Sequence, residues 1–376
     1  MTTSTRSLRR HAAWAAPVLT AAVVGGVALL PSAASASAHP VLPSRTAAQL
    51  LADVQTVDVS ALSGTIVETA RLGIPTLPGA DNAASLSFQT LVTGTHTARV
   101  WLDGPQRQRL ALLGQLSESD VVHAGTDLWT YASSSQQVQH TVLPAEAAGT
   151  SEKAAGGSDL QAYTPQGAAA QALAAVDPTT VVTVERTARV AGRPAYTLVL
   201  APRDSRSTVR RVALALDAAT KLPLRVQVYG AAAQPAFETA FTDVSFRAPA
   251  ASVFTFRAPK GSTVMTKTLS RTTRPAGKGE RGQRNPAPTS TPTTVGRGWA
   301  SVLVLPAGSG ASALGGPSGG TGSSAALLGQ LTTTLPNGDR LLRSALLNVL
   351  LAKDGRVLVG AVSPDVLRQA AAGQLQ

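Results

Sequence analysis

The sequence predicts an α+β protein built on antiparallel sheet, and three observations carry that prediction. Residues Thr93 to Leu143 read as consecutive short strands: Thr95–Leu102, Gln106–Leu113, Ser119–His123, Leu128–Tyr131 and Gln137–Leu143. The connections are short and hold Gly, Asp or Ser, such as Asp103-Gly104-Pro105 and Gly125, which tolerate turn geometry. Sequential strands joined this way form an antiparallel meander. A second run of strands follows after residue 180, and capped helical segments precede each run.

Alternation gives each strand an apolar face, since successive side chains point to opposite sides. Ala98, Val100 and Leu102 share one face against Arg99 and Trp101, and Leu110 and Leu112 oppose Arg109 and Ala111. The first helix opens at Thr46, where Gln49 completes a capping box and Leu50, Leu51 and Val54 form the apolar stripe. A strand over Gly64–Ala70 follows. Leu72 to Gly79 is loop-like yet apolar, so Leu72, Ile74 and Leu77 read either as packing on the sheet or as a lid or membrane-touching tip. Thr164 caps a second helix with Pro165 at its first position and Ala168–Val176 as its body. Its side chains are small, which lets it lie close to the sheet or leaves room there for a ligand.

The second strand run comprises Val181–Val190, Ala195–Leu200, Thr208–Asp217, Leu222–Tyr229 and Phe237–Phe246. Tyr196, Leu198 and Leu200 share a face, as do Val212, Leu214 and Leu216, and Val226 and Val228. Further on, Trp299–Leu305 reads as a strand. Arg340–Ala352 and Arg356–Val362 flank a Lys353-Asp354-Gly355 hairpin turn. Ser363-Pro364 starts a last helix, Pro364–Ala371.

The 376 residues suffice for two domains, and 44% apolar composition supplies a core. Only 4% are aromatic, which argues against a base-stacking nucleic-acid platform. There is no cysteine, which excludes disulfides, a thiol nucleophile, a Cys zinc site and a lipidated N-terminal Cys. The net charge of +12 is local. Arg6, Arg9 and Arg10 contribute +3 and residues 260–297 contribute +7, leaving +2 for the rest. The second basic block lies in Pro/Gly/Thr-rich sequence and reads as a solvated linker, or as a tether attracted to an anionic envelope or membrane surface.

Residues 1–38 read as a secretory signal: arginines, an apolar stretch from Ala12 to Leu30, then Ala-Ser-Ala cleavage patterns. The rival is an uncleaved anchor, which Pro17, Gly25 and Gly26 weaken. The Arg9-Arg10 pair leaves Sec and twin-arginine export both open. The expected layout is a signal peptide over 1–38, a main domain over 39–268, a basic linker over 269–298, and a small C-terminal α+β unit over 299–376 with a Gly/Ser-rich insertion.

Catalysis finds little support. His11, His39, His96, His123 and His140 make no metal-binding pair, and no Gly-x-Ser-x-Gly elbow exists. His123 and Asp127 flank a turn followed by serines 133 to 135, a composition common in Ser-rich loops. No catalytic residue, metal site or cofactor is therefore expected.

Two phrases carry a family resemblance. Val100-Trp101-Leu102-Asp103-Gly104-Pro105, with Arg107 and Arg109, resembles the first hairpin of LolA-type lipoprotein carriers and their RseB-like relatives. Val122 to Tyr131 resembles the same superfamily's tight Gly turn followed by Trp-x-Tyr. Gly192-Arg193-Pro194-Ala195-Tyr196, Phe241-Thr242-Asp243-Val244 and Val253 to Pro259 continue the pattern, so the resemblance spans about Arg45 to Pro259. It implies a strongly curved antiparallel half-barrel, with helices covering a concave face that takes up acyl chains. An inner face of Val, Leu and Ala fits an apolar pocket, or a packed core if that pocket has closed. The expected lining is Val100, Leu102, Leu110, Leu112, Leu198, Leu200, Leu214, Leu216, Val226 and Val228. The resemblance implies an exported, non-enzymatic, monomeric binding protein for lipid or lipoprotein acyl chains. Its alternative is an RseB-like regulatory protein that binds a membrane partner in envelope stress signalling.

Overall fold

A computed structural model describes residues 40–57, 59–74, 93–114, 117–144, 164–268, 292–307 and 331–375. The signal over 1–38, most of the basic segment, the Gly/Ser-rich insertion and Leu77 lie outside the described residues.

Helix α1 (Ala47–Gln55) starts as its sequence dictates. Thr46 Oγ1 accepts from Gln49 N–H at 3.2 Å, and Gln49 Oε1 accepts from Thr46 N–H at 2.9 Å. Strands β1 (Ala61–Arg71), β2 (Thr93–Asp103), β3 (Arg107–Leu113), β4 (Glu118–Ala124), β5 (Asp127–Ala132) and β6 (Gln137–Val142) follow. Helix α2 (Pro165–Ala174) then leads into β7 (Thr180–Val190), β8 (Arg193–Pro202), β9 (Arg211–Asp217), β10 (Pro223–Tyr229) and β11 (Phe237–Ser245). The β2–β3 and β4–β5 hairpins turn at Gly104 (φ 73°) and Gly125 (φ 64°), a left-handed conformation that glycine adopts without strain.

All these strands join one curved, open sheet in the order β12-β6-β5-β4-β3-β2-β1-β11-β10-β9-β8-β7. The β1–β11 pair is the seam between the meander half and the β7–β11 half. Every pairing is antiparallel except one. Strand β12 (Thr263–Thr268), absent from the sequence reading, runs parallel to β6 along the sheet edge. Its six residues are all exposed, so no alternation marks it as a strand.

The two halves are covered differently. Helix α1 packs on β7, and α2 packs on β10 and β11. Leu50 and Ala169 from these helices share a core with Leu198, Leu200, Leu214, Leu216 and Val226. Most of β8 and almost all of β9 is buried in unbroken runs, so both of their faces are covered. A separate core gathers Leu62, Ile66, Val100, Leu110, Leu112, Val121 and Phe241. The other face of the meander is crossed by a strap from the short 3-10 turn Ala251–Phe254 to Pro259, which places Phe254 and Phe256 against it.

A second sheet, in the order β13-β14-β18-β17-β16-β15, comprises Thr293–Val295, Val302–Leu305, Thr333–Thr334, Arg340–Leu342, Asn348–Leu351 and Val357–Gly360 in chain order. Helix α3 (Pro364–Ala371) packs on β17 and β18. Three expectations change here. The stretch 340–352 is two strands, because Ser344 Oγ donates to Leu347 O and Asn348 Oδ1 accepts from Ser344 N–H, closing a side-chain turn. The strand expected from Trp299 begins at Val302, after a 3-10 turn over Gly298–Ala300. The segment read as linker to residue 298 is already ordered at β13. Gly298 (φ 53°) lies so close to Asp177 that a Cβ there would clash with Oδ2. Trp299 Nε1 donates to Thr180 Oγ1 at 2.8 Å.

The small sheet docks on the large one. Thr208 N–H donates to Ala361 O at 2.9 Å, Thr208 Oγ1 to Leu346 O at 2.5 Å, and Ala345 N–H to Leu72 O at 2.8 Å.

Candidate ligand-binding site

The ten predicted lining residues are not gathered into one wall. Val100, Leu110 and Leu112, with Leu102 at their margin, belong to the meander core. Leu198, Leu200, Leu214, Leu216 and Val226, with Val228 at their margin, belong to the helix-covered core. The four leucines of the second group are fully inaccessible, so no water-sized space touches them in this conformation. Side chains from α1 and α2 occupy the concavity above them.

What stays open is a groove between the two helices. It has a volume of about 420 Å³ and is lined mainly by Val54, Val57, Ala170, Leu173, Ala174 and Pro223, with Gln55 and Gln166 at its polar points. The small side chains of α2 make this space: a helix of Ala and Gly cannot fill the gap to its neighbour. The groove is apolar and large enough for part of a chain-like ligand, the low end of small-molecule sites.

Two buried, unpartnered polar groups interrupt the concave face among the described residues. Glu68 on β1 is 9% exposed, and its Oε1 has no hydrogen-bond partner among the described residues. Thr239, its direct cross-strand neighbour on β11, is 2% exposed and its hydroxyl is likewise unpartnered. Burial pushes the Glu68 carboxyl up to about 7.

On the opposite face of the meander lies a second opening, about 510 Å³, between β3–β5 and the strap. Arg109 and Asp120 form a two-pronged pair at its floor, with Nε to Oδ1 at 3.0 Å and Nη2 to Oδ2 at 2.6 Å. Burial raises the Asp120 carboxyl against the opposing pull of Arg109. Tyr131 and Phe256 line its side. The sequence reading missed this opening: alternation puts Trp129 and Tyr131 on one face of β5, but the strap that carries Phe256 is irregular and follows no period.

His123 and Asp127 are not brought together. His123 Nε2 lies 2.9 Å from Gly125 O, while Asp127 Oδ1 lies 2.6 Å from His140 Nε2. His140 stacks on Trp129 at 3.8 Å between centroids. Ser133 Oγ accepts from Glu118 N–H, away from both. Of the residues read as a lid, Leu72 docks on the small sheet and Ile74 is half-buried. Among the described residues no group of three His, Asp or Glu is placed to hold a metal ion, and no helix is long and apolar enough to cross a membrane.

No curated protein matches the chain. Among solved structures, the Pseudomonas aeruginosa MucA/MucB complex aligns with 19% identity over 86% of this chain and 96% of that one, with a TM-score of 0.43. MucB in complex with MucA(peri) aligns with 18% identity over 86% and 97%, TM-score 0.40. A LolA superfamily protein from Nitrosomonas europaea aligns with 13% identity over 57% and 99%, TM-score 0.21. Residues 134–261, from the β5–β6 turn through α2 and β7–β11 to the strap, match the family described as the MucB/RseB N-terminal domain. Through this third of its length the chain is similar to the MucB/RseB N-terminal domain, and its resemblance to the RseB/LolA-like superfamily rests there.

Proposed function

We propose that this chain is an exported, non-enzymatic binding protein of RseB type, acting outside the cytoplasm as a monomer. It holds an acyl chain of a lipid or lipoprotein and engages a membrane-protein partner. The observation that carries this reading is the apolar groove between α1 and α2, whose α2 wall and Pro223 lie within the part of the chain similar to MucB/RseB. The acyl chain enters there. Leu198, Leu200, Leu214, Leu216, Val226 and Val228 beneath them form the floor it reaches when the helices part. Each methylene buried contributes on the order of 0.8 kcal/mol, so an ordinary chain binds without a charged contact.

A regulatory role suits this geometry better than bulk carriage. Leu50 and Ala169 pack into the concavity, so an acyl chain that reaches its floor must shift the helices, and a shift is a signal that a partner can read. The carrier alternative rests on the same groove and differs in requiring release to a membrane acceptor.

Ala170→Trp tests the reading. Ala170 is exposed and lines the groove, so a large ring there blocks the opening without overpacking the core. With a fluorescent fatty acid as probe, binding by the parent protein and at least tenfold weaker binding by the variant are expected, with the melting temperature unchanged. Absence of binding by the parent protein would overturn the proposal.

A further inference from the structure

The opening on the meander's other face belongs to neither the acyl groove nor the small-sheet interface, and its chemistry is different. We propose that it is a binding site for a neutral saccharide, seated on Tyr131 and Phe256 and hydrogen-bonded by the Arg109–Asp120 pair.

The lining decides what the opening can accept. Its volume of about 510 Å³ is that of a small-molecule site. An acyl chain is excluded by the floor, because an apolar ligand would strip water from a carboxylate and a guanidinium and give them nothing in return. A phosphate or other strong anion is disfavoured because Arg109 is already neutralised by Asp120, and the Arg257 charge at the mouth is matched by Glu118. The same balance disfavours a strong cation. An extended peptide has no strand edge to pair with, since β3, β4 and β5 are each hydrogen-bonded on both sides.

What remains is a neutral ligand rich in hydroxyls, and the floor is built for one. Asp120 has a side-chain exposure of 7%, and among the described residues its side-chain hydrogen bonds come from Arg109 alone. Each of its oxygens keeps acceptor capacity for a hydroxyl. Arg109 spends one terminal N–H on Val253 O at 3.2 Å and one on Asp120, and keeps one N–H on each terminal nitrogen. Two adjacent acceptors beside two adjacent donors match a pair of neighbouring hydroxyls on a pyranose ring. Tyr131 and Phe256 stand 6.4 Å apart at 48°, offering aromatic faces to the C–H side of that ring. Arg109 ties strap to sheet through Val253, so the pocket wall is fixed rather than draped.

The test uses the full mature protein and two neutral disaccharides, maltose and N,N′-diacetylchitobiose, with glucose 6-phosphate as the charged comparison. Titration followed by tryptophan fluorescence reads the site through Trp129, which stacks on Phe256. Saturable binding of at least one disaccharide is expected, with glucose 6-phosphate weaker. Phe256→Ala and Asp120→Asn should each weaken it at least tenfold, while Ala170→Trp in the acyl groove leaves it unchanged. Should Asp120→Asn fail to fold, Phe256→Ala, on the half-buried strap, keeps the test alive. No saturable binding of either disaccharide, tighter binding of the phosphate, or indifference to Phe256→Ala would each overturn the proposal. Loss of saccharide binding in Ala170→Trp would place the ligand in the acyl groove instead.

Discussion

Each half of the large sheet holds one two-pronged Arg–Asp pair, and the two behave in opposite ways. In the helix-covered half, Arg193 Nε and Nη2 reach Asp217 at 2.5 and 3.1 Å. In the meander half, Arg109 reaches Asp120 at 3.0 and 2.6 Å. Both carboxylates are buried. Burial raises both, yet Asp217 ends below the ordinary carboxylate range and Asp120 above it. The difference is the remaining donors. Asp217 Oδ1 also accepts from Ala219 N–H, Thr220 N–H and Thr220 Oγ1 at 3.1, 2.8 and 3.0 Å, whereas among the described residues Asp120 has Arg109 alone. A satisfied pair holds a hairpin turn; an under-satisfied pair beside an opening is where a ligand's hydrogen bonds are wanted.

The largest expected effect breaks the satisfied pair. Asp217→Ala removes a fully buried carboxylate and strands Arg193 and the turn donors, so chemical denaturation should show a loss of about 3–5 kcal/mol. Asp120→Ala should cost clearly less, because water in the adjoining opening can solvate Arg109.

Next comes Glu68, at the seam of the two halves. Its folded value of about 7 lies above the 4.5 of an ordinary glutamate. Below 4.5 both folded and unfolded chains carry the proton. As pH rises from 4.5 to 7 the unfolded chain releases it first, so stability falls, and above 7 it levels off. The full change is about 3 kcal/mol. Thermal melts between pH 4 and pH 8 should show this fall, and Glu68→Gln should abolish it and raise the melting temperature at pH 8. A melting temperature flat across that range in the parent protein would contradict a buried, unpartnered carboxyl.

Leu214→Trp is the smallest of the three. Leu214 is fully buried beneath α1 and α2, so overpacking should cost about 1–3 kcal/mol unless the helices part to make room. A smaller loss with weaker fatty-acid binding would indicate that the helix cover opens readily.

What the sequence made legible was local. The Thr46–Gln49 capping box, the hairpin glycines, Pro165 in the first turn of α2 and the Pro364 start of α3 each depend on residues a few positions apart. So does the alternation that placed Val100 with Leu110 and Leu198 with Leu214, both direct cross-strand pairs. The rest depends on distant partners. Strand β12 exists because its backbone meets β6, and its side chains carry no pattern. Alternation assigns a face to each residue but not a neighbour across the concavity, so it could not divide ten apolar residues between two cores. Glu68 read as an ordinary strand residue because its burial is set by β2 and β11 together.

An acyl chain in the groove between α1 and α2 is what the proposed function stands on. Native mass spectrometry of the protein purified from the extracytoplasmic fraction, followed by lipid extraction, tests it most directly. A species heavier than the processed chain by one lipid or fatty acid is expected, absent from Ala170→Trp prepared in the same way. A single ligand-free mass in the parent protein, unchanged after incubation with fatty acid, would contradict it.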